Sequence, residues 1–294
     1  MPSRLIGFID IDNYKLIDEV NYLNAIPKQR EEYDEFGQGY WKNLSLYNSS
    51  GRKGDSQYKN ADQCLPTEYM DFCPEIKRFI EENFSIETLR MVRARNLIDG
   101  MVIPHRDFVE LDKGVSYFRV FIPLENNEDS YHSDSTGVFQ MKPGEVWYLD
   151  AGINHAAINF SFQSRMFLCL DFIFKDEFND SDIFKYTSNV VFDVKPTYKQ
   201  RQALPESLKE SIVDSMSLIL SKETFKDILF ALSKYHFIYD IEVAECYQWL
   251  IDACIKGEHQ DLEEKARDLK RYLIHERALD ERFSINNWTS KQVA

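Results

Sequence analysis

What most constrains the fold is the stretch from Glu87 to Phe174, where short alternating or continuously apolar runs follow one another without a helical period. ETLRMVRARNLI leads through Asp99-Gly100 to MVIPH, and VSYFRVFIPL follows Lys113-Gly114. GVFQM, the turn Lys142-Pro143-Gly144, EVWYLD, HAAINFS and RMFLCLDFIF come next. β-Branched and aromatic residues suit a pleated surface and the Gly, Pro and Asp pairs suit reversals, so each run predicts a strand. Many strands at short spacing predict an antiparallel sandwich or barrel. ENNEDSYHSDST, residues 125–136, is polar throughout and reads as a long loop or tip.

One helix is expected to interrupt the strands of the first 180 or so residues, PEIKRFIEENF at 74–84, with Pro74 at its start and Ile76, Phe79, Ile80 and Phe84 on one face. From about residue 207 the period becomes helical, as in SLKESIVDSMSLILS and DLEEKARDLKRYLIHERAL, and three or four helices are expected. The division is therefore a β domain over 1–190 and an α-helical domain over 200–294, with the linker near 185–205. A chain of 294 residues with 21 Phe and 16 Tyr has ample material for a large core and an aromatic pocket.

Charge and cysteines narrow the partners. A net charge of −14 opposes nucleic acid and anionic membrane surfaces, which are polyanions. The five cysteines are odd in number and never in a C-x-x-C pair, so neither a disulfide framework nor a zinc ribbon is indicated and a reducing cytoplasm is expected. No signal-peptide pattern and no run of about 18 apolar residues is found, so no membrane span is expected.

Two H-x-D patterns stand 27 residues apart, His105-Arg106-Asp107 and His132-Ser133-Asp134. On a strand, residues i and i+2 share a face, so either pair can aim an imidazole nitrogen and a carboxylate oxygen at one metal ion. His132 lies among Asn, Glu, Asp and Ser and reads as solvated surface. His105 instead ends the apolar run MVIP, where a strand reaches the rim of a sheet, and His155 opens another strand 50 residues later, with three predicted strands between. His105, Asp107 and His155 thus form the better candidate for a facial triad, which leaves three adjacent positions open on a ferrous ion. His236, His259 and His275 have no partner at ligand spacing and read as structural. Arg165, ten residues after His155, opens an apolar strand and needs an anion. That anion is either the far carboxylate of a dicarboxylate cosubstrate or a protein carboxylate in a salt bridge.

HRDFVELD, FRVFIPLEN, GEVWYLDAGINHAAINFS and SRMFLCLDF together resemble the iron(II)- and 2-oxoglutarate-dependent free amino acid hydroxylases, a group that includes bacterial proline 3-hydroxylase and proline cis-4-hydroxylase. More distantly they resemble the aspartyl/asparaginyl β-hydroxylases. YHFIYDIEVAECYQWL extends the resemblance into the helical region. The resemblance implies a double-stranded β-helix, or jelly-roll, core with an α-helical C-terminal region. It implies Fe(II) on His105, Asp107 and His155, with 2-oxoglutarate and O2 as cosubstrates and Arg165 on the far carboxylate. Arg119 then lies near the iron-bound end of the cosubstrate or the substrate carboxylate. Relatives often carry histidine two residues later, where this chain has Phe121.

Arg95 or Arg93, two apart on one strand face, would hold the carboxylate of the amino acid, although a cross-strand ion pair explains either nearly as well. Trp147 is either a pocket wall or a core residue. The expected substrate is L-proline, followed by pipecolate and by L-lysine, for which Glu110 and Asp112 are nearby anions. Hydroxylation of Asp or Asn in a protein, and a noncatalytic β-sandwich metal-binding module, are the competing readings. The C-terminal helices are expected to cover the sheet, with a homodimer contact as a further option.

Overall fold

The computed structural model describes residues 2–28, 35–56, 58–59, 61–107, 116–278 and 281–288. Its centre is one long strand, β4 (Leu89–His105). On one edge β4 pairs with β10 (Met166–Phe174) through Leu89–Asn96 and with β9 (His155–Asn159) through Gly100–His105, while β2 (Gly37–Asn48) follows the other edge. Two antiparallel layers grow from this strand. The first runs β4, β10, β5 (Ser116–Pro123), β8 (Glu145–Tyr148) and β1 (Arg4–Phe8). The second runs β4, β9, β6 (Ser130–Asp134), β7 (Gly137–Gln140) and β11 (Thr197–Tyr198). A two-residue strand, β3 (Leu65–Pro66), pairs with the end of β2. This is the expected jelly-roll arrangement, with β4 passing from one layer to the other.

The passage occurs at Asp99-Gly100, and it is a kink rather than the hairpin turn that the sequence suggests. Asp99 takes φ 42° and Gly39 on β2 takes φ 79° where the backbones touch. A Cβ on Gly100 would lie 1.9 Å from the Gln38 carbonyl oxygen, so only glycine permits that approach. The turn at Lys142-Pro143-Gly144 forms as expected: the Glu145 N–H reaches the Lys142 carbonyl at 3.0 Å, and Gly144 supplies the φ of 81° that a type II turn requires. The turn at Lys113-Gly114 lies outside the described residues, as do Glu110 and Asp112.

Alternation sorts the side chains of the first layer. Leu168, Leu170 and Phe172 of β10, Val120 and Ile122 of β5 and Val146 of β8 face outward and form one core with helix α2 (Pro74–Asn83). Ile76, Phe79, Ile80 and Phe84 are fully buried there, as the periodicity predicts. A second helix, α1 (Ile17–Ala25), was not expected; its Glu19 carboxylate accepts the N–H groups of Glu75 and Ile76, both at 2.7 Å, and so caps α2.

The second layer is covered by α3 (Glu206–Ile219), α4 (Phe225–Leu232), α5 (Glu245–Lys256) and α6 (Gln260–Lys270). Their apolar faces share a continuous core with Met101, Ile103, Val138, Ala156 and Ile158. The segment between sheet and helices is tied to the sheet by the bridge of Val191 to Phe8 and by β11 on β7. All five cysteines are free. Among the described residues no helix is long and apolar enough to cross a membrane. The remaining side chains point between the layers, where Phe121, Phe139, Met141, Trp147, Phe167 and Cys169 form an interior cluster.

Candidate active site

His105, Asp107 and His155 converge at the open end of this interior, and one ligand atom from each lies within 4.8 Å of the others. Pairing puts His105 directly opposite His155, with ring centroids 4.2 Å apart. Strict alternation would have sent His105 outward with Met101 and Ile103. An extra residue in β4 between Val102 and His105 reverses the parity and turns the imidazole inward, which is what a β-bulge does to the chain beyond it. Asp107 lies just past the strand, where its N–H donates to the Ala151 carbonyl at 2.8 Å.

Both imidazoles are set for metal binding. The Nδ1 of His105 lies 2.8 Å from the Ile103 carbonyl and that of His155 lies 2.9 Å from the Ile153 carbonyl. A carbonyl only accepts, so each Nδ1 carries the proton and each Nε2 presents its lone pair inward. Burial and the neighbouring His155 push the His105 pKa down to about 3 against the pull of Asp107, keeping that ring neutral. Arg119 donates to Asp107 Oδ2 at 2.6 Å, while Oδ1 stays 3.7 Å from His105 Nε2. Burial alone would raise the Asp107 pKa; the Arg119 guanidinium, first among the neighbouring groups, holds it well below the usual carboxylate range. Two imidazoles that turn Nε2 inward and one ionised carboxylate are the donor set that suits ferrous iron with open positions.

The four arginines divide into two kinds. Arg93 Nη2 donates to Asp171 Oδ2 at 2.5 Å, and Arg119 donates through Nε to Asp171 Oδ1 at 2.7 Å as well as to Asp107. Both guanidiniums are therefore neutralised within the protein. Arg95 and Arg165 are not. Arg95 lies between the rings of Trp41 and Phe121, 5.7 Å from each, and has no hydrogen-bond or ion-pair partner among the described residues. Arg165 is 4% exposed, packs 5.0 Å over the Phe167 ring and, among the described residues, its guanidinium reaches only the Met141 sulfur, at 4.0 Å. Burial lowers its pKa to about 10. The salt-bridge alternative for Arg165 thus finds no carboxylate among the described residues.

Trp147 is fully buried within the interior cluster, stacked 4.5 Å from Phe139, and its indole N–H donates to Glu145 at 2.7 Å. Phe121 packs edge-on against His132, centroid to centroid 5.6 Å.

His132 corrects the sequence reading. Residues 130–134 form β6 rather than part of a loop, which makes four strands between His105 and His155 instead of three. His132 is 3% exposed, pairs with the inward Ala157 and lies parallel to His155 with ring centroids 6.1 Å apart. Neither ring nitrogen has a hydrogen-bond partner among the described residues. Burial, and next the charge of Arg165, hold the ring neutral, its pKa well below the ordinary value. The alternation of His132 with outward Ser133 was the available signal. Ser133 bonds His236 at 2.8 Å on the helical side, which makes His236 the structural histidine that was expected.

Known proteins resemble this chain over most of its length. Residues 12–174 match the family described as Aspartyl/Asparaginyl beta-hydroxylase, and residues 180–281 match L-proline 3-hydroxylase, C-terminal. The chain is 38% identical over 291 residues to L-proline cis-3-hydroxylase 2 of Streptomyces sp, covering 98% of this chain and 100% of the relative. It is 26% identical over 282 residues to L-proline cis-4-hydroxylase of Rhizobium meliloti (strain 1021), covering 94% and 97%. With a bulge-turned triad, a jelly-roll core and these relatives matched end to end, the chain belongs to the aspartyl/asparaginyl β-hydroxylase family, on its L-proline 3-hydroxylase side.

Proposed function

We propose that the chain is an Fe(II)- and 2-oxoglutarate-dependent dioxygenase that hydroxylates free L-proline, with carbon 3 favoured over carbon 4 by the greater identity to the cis-3 enzymes. The observation that carries this reading is a pair of guanidiniums with no counter-ion among the described residues, the half-buried Arg95, whose Nε is shut off from solvent, and the buried Arg165, both in the same interior as the triad. Burying an unpaired charge is costly, so each marks a place for a ligand carboxylate. A 2-oxo dicarboxylate and an amino acid supply one each.

When bound, iron with 2-oxoglutarate and O2 supplies the oxidising power that places a hydroxyl on an unactivated carbon and yields succinate and carbon dioxide. The residues supply the geometry. His105, Asp107 and His155 would hold the ion. Arg165, with the neutral His132 beside it, would hold the far carboxylate of the cosubstrate. An imidazole thereby reaches from β6 toward the ring of Phe121, the position where relatives often carry histidine. Arg95 would hold the proline carboxylate, flanked by Trp41 and Phe121, whose apolar surfaces keep water from that contact. Arg119 keeps Asp107 ionised and oriented. The unpaired cysteines fit our assignment to a reducing cytoplasm.

The test is reconstitution with Fe(II) and 2-oxoglutarate, followed by mass spectrometry across proline, pipecolate, lysine and Asp-containing peptides. Succinate formed in step with a one-oxygen gain on proline is expected; no succinate with any of them defeats the assignment. Arg95→Ala should raise KM for proline by about 10–100-fold, the worth of a charged hydrogen bond, and leave iron and 2-oxoglutarate binding in place. An unchanged KM would return the substrate site to Arg93.

A further inference from the structure

The middle residue of the H-x-D motif, Arg106, would hold neither metal nor ligand, yet its side chain is tied on two sides. Arg106 lies between two inward ligands. Its backbone N–H donates to the Leu273 carbonyl at 2.9 Å, its Nε donates to the Gly152 carbonyl at 2.8 Å and its Nη1 reaches the Ile274 carbonyl at 3.4 Å.

Two structures meet at this residue. One is the loop before His155, where three successive carbonyls are taken by the site: Ala151 accepts from the Asp107 N–H, Gly152 from Arg106 Nε and Ile153 from His155 Nδ1. The other is the end of the helical region. Residues Arg271–His275 continue α6 as one turn of π-helix, closed by the Glu276 N–H on the Arg271 carbonyl at 2.9 Å. The last carbonyls of a helix lack intrahelical donors and carry the negative end of its dipole. Leu273 and Ile274 offer those carbonyls to Arg106. A third tie lies two residues upstream, where the buried Tyr247 of α5 donates its hydroxyl to the Pro104 carbonyl at 2.5 Å, inside the bulge that turns His105 inward.

We infer that Arg106 is a positioning residue for the metal site, and that through it and Tyr247 the C-terminal helices fix the spacing of His105 and Asp107 against His155. The inference rests on the triad as metal ligands. Hydrogen bonds behind metal ligands typically change affinity about 10–100-fold when removed. By reciprocity, metal binding tightens the docking of the helical end by the same factor.

Three variants of the full chain test this: Arg106→Ala, Arg106→Lys and Tyr247→Phe. Co(II) serves as a spectroscopic stand-in for Fe(II), with its dissociation constant and visible spectrum measured beside the thermal midpoint in chelator. Arg106→Ala is expected to weaken Co(II) binding by about 10–100-fold and to alter the spectrum, with Lys restoring part of the loss. Tyr247→Phe is expected to weaken it by a few-fold to about 10-fold, the worth of one net hydrogen bond. Hydrogen exchange at residues 271–276 should slow when Co(II) is added to wild type and respond less in the variants. Wild-type affinity and spectrum in Arg106→Ala, whatever its midpoint, would overturn the inference. Where that variant fails to fold, the same result in Tyr247→Phe does so. If wild type binds no Co(II), the ligand assignment itself falls first, and the two failures are distinguished.

Discussion

His155→Ala is expected to lose Fe(II) and all measurable turnover, whereas His132→Ala should keep the metal and lose affinity for 2-oxoglutarate. In the proposed site His155 supplies one of three ligand atoms, and the two that would remain on β4 and its extension cannot close a facial triad. The metal ion accounts for several kcal/mol of the reaction, so turnover should fall by ~10³-fold or more at 1.36 kcal/mol per decade. His132 lies a ring-stacking distance away, but its nitrogens have no partner among the described residues and its neighbour is Arg165. Removing a neutral donor to a carboxylate costs about 1.5–3 kcal/mol, or ~10–100-fold in KM for 2-oxoglutarate. Chelator competition for Fe(II) and initial rates against 2-oxoglutarate separate the two. Metal loss in His132→Ala with retention in His155→Ala would exchange the two histidines and reject the assignment.

That contrast also shows what the chain discloses by itself. The jelly roll is legible because β-branched and aromatic runs recur between turn residues, and the triad is legible because His105 and His155 sit where apolar runs end. His132 is misread because local polarity normally signals solvent. Here Ser130, His132, Ser133 and Asp134 are polar and buried, since β6 turns His132 toward His155 and Phe121 on one side and meets His236 on the other. A strand beside a polar pocket and a solvated loop have the same composition; only the pairing of His132 with Ala157 and Phe139 distinguishes them. Asp99-Gly100 is misread for a related reason, because a kink between two sheets and a hairpin need the same backbone freedom. Arg93 and Arg95 are equivalent in sequence and become different only when Asp171 pairs with one of them.

Asp171 was available as a signal. A lone carboxylate in MFLCLDFIF, on the parity of Phe167 and Cys169, has to face the interior and find cations there. It is fully buried and accepts from Arg93, from Arg119 and from the Tyr117 hydroxyl. Because Arg119 goes on to Asp107, one carboxylate deep in the sheet holds the guanidinium that holds a proposed metal ligand. Asp171→Asn should therefore have two effects. It leaves two buried guanidiniums short of charge, which typically costs about 3–5 kcal/mol and lowers the melting midpoint by on the order of 10 °C for a chain of this size. It also frees Arg119 to reorient, weakening metal binding by about 10–100-fold. The pH dependence has a definite sign. Burial would raise the Asp171 pKa, but Arg119 and Arg93 hold it down at about 2, against ~3.9 for an unfolded aspartate. Its contribution is complete above that unfolded value and is lost as pH falls through the folded one, so the stability gap between wild type and Asp171→Asn should narrow between about pH 4 and pH 2. Unfolding midpoints of both proteins at neutral pH and near pH 3, with Co(II) affinity at neutral pH, decide the matter. Equal midpoints at neutral pH would mean that the two arginines are neutralised elsewhere and that Asp107 is oriented without this chain of charges.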